Sequence, residues 1–375
     1  MERDVAVVLS GGAVNGVLMQ VGFFKRLQET DLWPRVGWIY GTSAGALSAT
    51  MAALGRLDDL ERFMLELQPE ETFRPNSLWR LPLLGSHDFR LPETVAERLG
   101  DIDAIARELA SAPIEVVVTA TDVTDAAEGT GPLAYELLYS SRTTPPETMG
   151  QAVLASAAVS ALVLPRQVGD RIATDGSWVR NFPLGHAYEQ PGVKLIVSFR
   201  YLPSYPSFSS TWLTTFRRRL GRLPKISPVR ALSAELRRAE ERSERGEPAH
   251  WGNMLVRLMR VAVQQNTVLE ERTARGKDDA LVELEALRAD ILTIIEDEGG
   301  RRGKRIARAV DQRFGEAEFP FLGDRPIPRI AVSGSAGDLT LEAGLRHPTP
   351  WSETSKLALI ARGYALLDDE LRARA

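Results

Sequence analysis

Residues 38–47 read WIYGTSAGAL: an apolar run, a Gly-Thr-Ser-Ala-Gly turn, then small helix-forming residues. Gly41 and Gly45 flank Ser43 at the two positions where a side chain would block a sharp strand-to-helix reversal. Such a reversal lifts the Ser43 hydroxyl clear of the sheet and sets it near the positive end of the following helix. A serine held that way is a candidate nucleophile. The same residues also suit a plain tight turn that caps a helix, so the nucleophile reading rests on two further segments.

The first lies upstream. Residues 4–9, DVAVVL, predict a buried strand, and SGGAVNG (Ser10 to Gly16) leads from it into VLMQVGFFKRL. Apolar residues at 17, 18, 21, 24 and 27 suit a helix lying on a sheet. Backbone N–H groups of Gly12 and Ala13, with Gly11 in the same loop, suit a developing oxyanion. Two phosphate readings fail on single residues. A dinucleotide fingerprint needs glycine where Ala13 stands, and a P-loop needs Lys then Ser/Thr where Val17 and Leu18 stand. A purely structural Gly-rich turn leaves the serine turn one strand later unexplained.

The second lies downstream. DRIATDGSWVRNFPLGHA carries Asp175-Gly176 in a turn, followed by Asn181 and Pro183. Most aspartates in Asp-Gly turns only form the turn. Here the turn follows a predicted helix and strand, QAVLASAAVSALVLPRQV, which can return it towards the first two strands. Small side chains around Ala155-Ser156-Ala157 permit close packing against a neighbouring backbone.

Taken together, these segments resemble the patatin-like phospholipase family. The matching pieces are SGGAVNG as oxyanion loop, GTSAG as nucleophile elbow, ASAAV…LP before the last active-site strand, and DG…NFP as aspartate segment. Their order fits over residues 4–199, and PIEVVVTATDV (113–123) matches a family strand between elbow and aspartate. The resemblance implies a three-layer α/β/α core and acyl hydrolysis of lipids by a dyad. In it Ser43 attacks the ester and Asp175 takes its proton directly. Three positions depart from the family: Ala13 for a third glycine, Asn15 for Arg or Lys, and Ser177 for the Gly or Ala after Asp-Gly. Ala13 keeps its N–H, whereas loss of the cation at 15 raises a second reading, a catalytically impaired relative that binds lipid or a partner. A Ser-His-Asp triad is the mechanistic alternative. His87, His186, His250 and His347 adjoin no recognisable motif, and Ser43 follows one strand before its own, which favours the dyad.

With 375 residues, 44% of them apolar, the chain can bury one large core plus an appendage. A formal charge of −4 gives no general reason to expect nucleic-acid binding. The absence of cysteine excludes disulfides, thiolate catalysis and cysteine-ligated zinc, and neither metal nor cofactor is expected. The first predicted strand starts almost at once, so no signal peptide is expected. The longest apolar stretch, AVLASAAVSALVLP, is too short to span a bilayer. Cytoplasmic residence, with peripheral membrane contact, is the expectation.

From about residue 200 the chain changes character. Three units are expected: a catalytic core over 1–200, a mainly helical insertion or cap over 201–325, and a strand and helix over 326–375 that complete the core. Residues 200–230 hold Arg200, Arg217, Arg218, Arg219, Arg222, Lys225 and Arg230 with no acidic residue. Within them Trp212, Leu213, Phe216, Leu220 and Leu223 share one helical face, so 208–225 is a candidate for docking on anionic lipid. An amphipathic helix packed on the domain fits equally well. Two apolar stripes read as core-facing helix packing: Leu255, Leu258, Met259, Ala262 and Val263, then Leu281, Leu284, Leu287, Ile291 and Ile294. Residues 73–92 read as a loop whose Leu78, Trp79, Leu81, Leu83 and Leu84 line an acyl channel or pack beneath the cap. A scaffold or adaptor role for the helical region is the third function class.

Overall fold

Alternation along one strand sets the layers. In β1 (Val5–Leu9) the side chains of Val5, Val7 and Leu9 join one hydrophobic cluster, and those of Ala6 and Val8 join another on the opposite face. A strand that is apolar on both faces needs cover on both, the condition met by a parallel sheet between helices. The computed structural model describes residues 2–76, 87–124, 135–159, 163–202, 227–244, 251–316, 326–341 and 351–374, and it has that architecture.

From β1 the chain runs through α1 (Ala13–Gln28), β2 (Val36–Thr42), α2 (Ala44–Ala53) and α3 (Leu57–Glu66). A hairpin of β3 (Phe73–Pro75) and β4 (His87–Phe89) follows, then α4 (Leu91–Arg98), α5 (Ile102–Ser111) and β5 (Glu115–Asp122). Next come β6 (Glu136–Ser140), α6 (Pro146–Ser156), β7 (Arg166–Val168), β8 (Arg171–Asp175), α7 (Ser177–Arg180), α8 (Leu184–Glu189) and β9 (Leu195–Tyr201). The last elements are α9 (Ser227–Glu244), α10 (Trp251–Gly315), β10 (Arg329–Gly334) and α11 (Glu353–Arg372).

Strands β10, β9, β1, β2 and β5 pair in that order, all parallel, and β8 and β7 extend the sheet antiparallel. β6 pairs antiparallel with β5. Residues from α1, α2, α3 and α11 cover one face, and Phe182, Leu184, Ala187 and Ala274 cover the other. The C-terminal strand and helix join this body directly: β10 pairs with β9, and α11 lies along α1. Gly22 and Gly363 stand where these two helices touch, since a Cβ at either would run into the other helix's backbone.

Three local expectations are corrected. Helix α1 begins at Ala13, so Asn15 lies in its first turn rather than in the preceding loop. The ends of 73–92 pair as the β3–β4 hairpin and carry His87 into a strand. Leu78, Trp79, Leu81, Leu83 and Leu84 lie outside the described residues, as does the lipid-docking candidate 208–225. The third correction concerns α10, which runs unbroken through Gly276 and kinks into a second helix at Gly300, where φ is 52°. Its apolar stripes are not core-facing as wholes: Leu258, Leu287 and Ile294 are 58%, 52% and 61% exposed, while Val263, Leu284 and Ile291 are half-buried. Of the stripe residues whose burial is described, only Leu281 is fully buried.

The inward face of α10 carries Asn266, Thr267, Glu270, Glu271, Ala274 and Asp278, the spacing of one helical face. The surface beneath presents backbone N–H and C=O groups together with Arg180 and Arg329, and buried groups of that kind need polar partners. Hydrogen-bonding demand has overridden the apolar periodicity. Val261→Gln and Leu287→Gln on the outer face are expected to change the unfolding free energy by no more than about 0.5 kcal/mol. Ala274→Gln forces a larger side chain into a buried position and is expected to cost about 1–3 kcal/mol. Urea unfolding checks the ranking, and the reverse order would mean that α10 docks by its apolar side.

Candidate active site

Ser43 sits at the junction of β2 and α2 with φ 56° and ψ −119°, in the left-handed half of backbone space that a residue with a Cβ avoids. Holding it there costs on the order of 1–3 kcal/mol, which surrounding contacts must offset. Gly41 and Gly45 make the turn sterically possible, because a Cβ on Gly41 would lie 2.3 Å from the Gly45 carbonyl oxygen. The Ser43 N–H donates to Ser156 Oγ at 2.8 Å, and that hydroxyl donates to the Thr119 carbonyl at 2.7 Å. Ser156, at the end of α6 and fully buried, therefore clamps the strained residue to β5. Its one sequence signal was a lone hydroxyl in an alanine-rich stretch, which reads as mere smallness.

The sheet brings Asp175 to this point. Along β5, Thr119 pairs with Thr42, the last residue of β2, and the next residue, Ala120, pairs with Asp175, the last of β8. β6 runs along Val117–Thr121 and fills the other edge, so β2 and β8 share one edge of β5 and abut end to end. Strands that meet in this way deliver their terminal side chains to one place. Ser43 Oγ donates to Asp175 Oδ2 at 2.8 Å, and both residues are buried. Gly176 allows the exit, since a Cβ there would come within 2.2 Å of the Thr119 carbonyl oxygen.

Burial pushes the Asp175 carboxyl above its ordinary range, and hydrogen bonds from Ser177 and Ser43 only partly offset this. The Ser177 N–H holds Asp175 Oδ1 at 2.8 Å, which leaves Oδ2 for the serine. A raised carboxylate is a stronger base than a solvated one.

The first glycine turn lies against the pair. A Cβ on Gly11 would come within 3.2 Å of the Ser43 Cβ and 2.6 Å of Asn181 Oδ1. The Gly11 N–H is committed to the Asn181 carbonyl at 3.1 Å, which removes it from the expected set of oxyanion donors and leaves it a steric part. The N–H groups of Gly12 and Ala13 meet no protein acceptor among the described residues, and they open the first turn of α1. Ala13 has φ 48°, so the alanine that replaces a family glycine is strained in the conformation a glycine accepts freely. Asn15 accepts from the Leu341 N–H at 2.9 Å and donates to the Leu341 carbonyl at 3.3 Å, which anchors this turn to the C-terminal part of the chain.

Neither described histidine joins the pair. His186 Nε2 lies 2.9 Å from Glu136, beside Arg180, and His87 lies on the β3–β4 hairpin, while His250 and His347 are outside the described residues. Burial works against the Glu136 charge, but bonds from His186 and Arg180 hold its carboxyl below the usual range. Among the described residues no group of three or more His, Cys, Asp and Glu is placed to hold a metal, and no helix is long and apolar enough to cross a membrane.

The raised Asp175 has a thermodynamic consequence. The folded state keeps this proton to higher pH than the unfolded chain, so the group's contribution falls as pH rises from about 4 through the folded value. Asp175→Asn removes the titration. The stability of the variant relative to wild type is expected to grow between pH 4 and pH 8, by about 1.4 kcal/mol per unit of elevation. Thermal melts at the two pH values check this; a difference independent of pH would contradict the raised carboxyl.

The model of the family described as patatin-like phospholipase matches residues 7–188. Among solved structures the chain is similar to VipD from Legionella pneumophila, at 15% identity and a TM-score of 0.41, covering 100% of this chain and 67% of that one. It is also similar to the complex of SpcU with ExoU from the type III secretion system of Pseudomonas aeruginosa, at 16% identity and a TM-score of 0.30, covering 85% and 69%. Those scores are too low for either likeness to bear on the fold or the site. Among curated proteins no match was found. The matched residues contain the glycine turn, the strained serine and the aspartate that hydrogen-bonds it, and residues 7–188 of this chain are a patatin-like phospholipase domain.

Proposed function

We propose that the chain is a lipid acyl hydrolase of the phospholipase A type that works through a Ser43–Asp175 dyad without a cofactor. The observation that carries this reading is the 2.8 Å hydrogen bond between Ser43 Oγ and a buried Asp175 of raised basicity. The patatin-like phospholipase domain over residues 7–188 supports lipid hydrolysis in general; the residue roles are this proposal's own. Ser43 Oγ attacks the ester carbonyl carbon while its proton passes to Asp175 Oδ2. The Gly12 and Ala13 amides, with their positive helix end, receive the oxyanion. Protonated Asp175 then gives its proton to the departing alkoxide, leaving an acyl-serine. Water, giving a proton to Asp175, attacks that acyl group; the acyl C–Oγ bond breaks, Asp175 returns the proton to Ser43 Oγ, and the fatty acid leaves.

Asn15 supports activity over the impaired-relative reading, because its two bonds to Leu341 hold the glycine turn without a basic side chain. Residues 201–325 are assigned as an insertion beside the site, and 326–375 as part of the catalytic body. Contact with anionic membrane through 208–225 rests on Trp212, Phe216 and the arginine cluster.

Ser43→Ala and Asp175→Asn are each expected to abolish cleavage of nitrophenyl esters and phospholipids, by at least about a thousandfold in kcat. His87, His186, His250 and His347 changed singly to Ala are expected to stay active. A folded histidine variant as inactive as Ser43→Ala would replace the dyad by a triad. The base must be ionised, so kcat/KM is expected to fall on the acid side with a midpoint above the ordinary aspartate value of about 4. For the membrane contact, charge reversal of Arg217, Arg218 and Arg219 is expected to abolish co-sedimentation with anionic liposomes; equal binding to neutral liposomes would refute it.

A further inference from the structure

The helix that docks on the site by its polar face lies outside the family-matched residues, and its contacts converge on the segment that follows Asp175. We propose that Asn266, Thr267 and Glu270 of α10 are positioning residues for the dyad, locking residues 177–185 and, through Asn181, the glycine turn. The proposal rests on the dyad reading for its catalytic part.

The contacts form a connected set. Asn266 Nδ2 donates to the Ser177 carbonyl at 2.7 Å and the Trp178 carbonyl at 3.3 Å, while its Oδ1 accepts the Asn181 N–H at 3.1 Å. Thr267 Oγ1 accepts from Asn181 Nδ2 at 3.0 Å and donates to the Val263 carbonyl at 2.9 Å. Glu270 accepts the Gly185 N–H at 3.0 Å and pairs with Arg180. One α10 stretch thus satisfies both ends of α7 and the start of α8.

The locked segment touches each part of the site. Its first residue, Ser177, holds Asp175 Oδ1 through its N–H. The Arg180 carbonyl accepts from Thr42 Oγ1 at 2.9 Å, one residue before Ser43. The Asn181 carbonyl accepts the Gly11 N–H, which orients the peptide leading into Gly12 and Ala13. α7 has four residues, too few to hold its shape alone. Its position is therefore set from outside, and α10 supplies the partners.

A helix docked only for stability would turn its apolar stripe inward. Here Leu258, Val261, Leu269 and Leu287 point out, and side chains that can make directional bonds point in. Directional bonds fix position more than they add stability. Misplacing catalytic groups by about 1 Å costs on the order of a hundredfold in rate.

The test uses the full chain with Asn266→Ala, Thr267→Val, Thr267→Ser and Glu270→Gln. Thr267→Val keeps the shape and deletes the hydroxyl, whereas Thr267→Ser keeps the hydroxyl. With a short-chain nitrophenyl ester, Asn266→Ala is expected to lower kcat about 10- to 100-fold with KM within about twofold, and Thr267→Val about tenfold. Thr267→Ser is expected to return to within about twofold of wild type. Amide hydrogen exchange is measured on the same samples. Gly11 and residues 177–185 are expected to exchange faster in Asn266→Ala and Thr267→Val while β1 and β2 stay protected. Unchanged exchange at Gly11, unchanged kcat in both variants, or Thr267→Ser as impaired as Thr267→Val would overturn the proposal. If Asn266→Ala fails to fold, the Thr267 pair and Glu270→Gln decide it. A wild-type chain that neither turns over ester nor reacts with a fluorophosphonate would bring down the dyad reading instead, and exchange at Gly11 would then decide the structural lock by itself.

Discussion

The end-to-end meeting of β2 and β8 on one edge of β5 is the constraint on which the site depends. Parallel pairing of β2 stops at Thr42, because the chain must turn away at Ser43, and the vacated edge of β5 is taken up by Asp175 at the next residue. No long side chain and no mobile loop is needed to bridge two residues this distant in sequence. Backbone ladders do it, and ladders are stiff. The chemistry proposed for Ser43 and Asp175 requires such stiffness, since a carboxylate that drifted towards water would lose its raised basicity.

Strain and burial are concentrated at the same place. Ser43 and Ala13 both adopt positive φ without being glycine, and Asp175 is a carboxyl taken out of water. Each feature is unfavourable alone and is held by surrounding bonds: Ser156 on the Ser43 amide, Ser177 on the aspartate, Asn15 on Leu341. The chemistry proposed for Ser43 and Asp175 needs unfavourable groups gathered at one point and supported from several sides.

The serine elbow, the aspartate turn and the strands at 4–9 and 113–123 are legible in the sequence because local sterics and apolar runs dictate them. Gly41 and Gly45 leave little choice of path, and DVAVVL reads as a buried strand. What escaped depended on partners far along the chain. Gly11 looks like an amide donor until Asn181 takes its N–H, and nothing near Gly11 announces that. Ser156 reads as one more small residue until the Ser43 amide arrives. Apolar spacing alone points α10 the wrong way, because such spacing orients a helix only when its partner is apolar. The surface it meets is made of carbonyls, amides and arginines, and there Asn266, Thr267 and Glu270 win over Leu258 and Leu287.

The central claim is that Ser43 is the attacking group and that the glycine turn receives the oxyanion. A crystal structure of the chain after reaction with a fluorophosphonate measures both at once. The account predicts phosphorus bonded to Ser43 Oγ, with its phosphoryl oxygen within hydrogen-bond reach of the Gly12 and Ala13 amides and Asp175 still beside Ser43. Phosphorus on another residue, or a phosphoryl oxygen turned away from that turn, would contradict it.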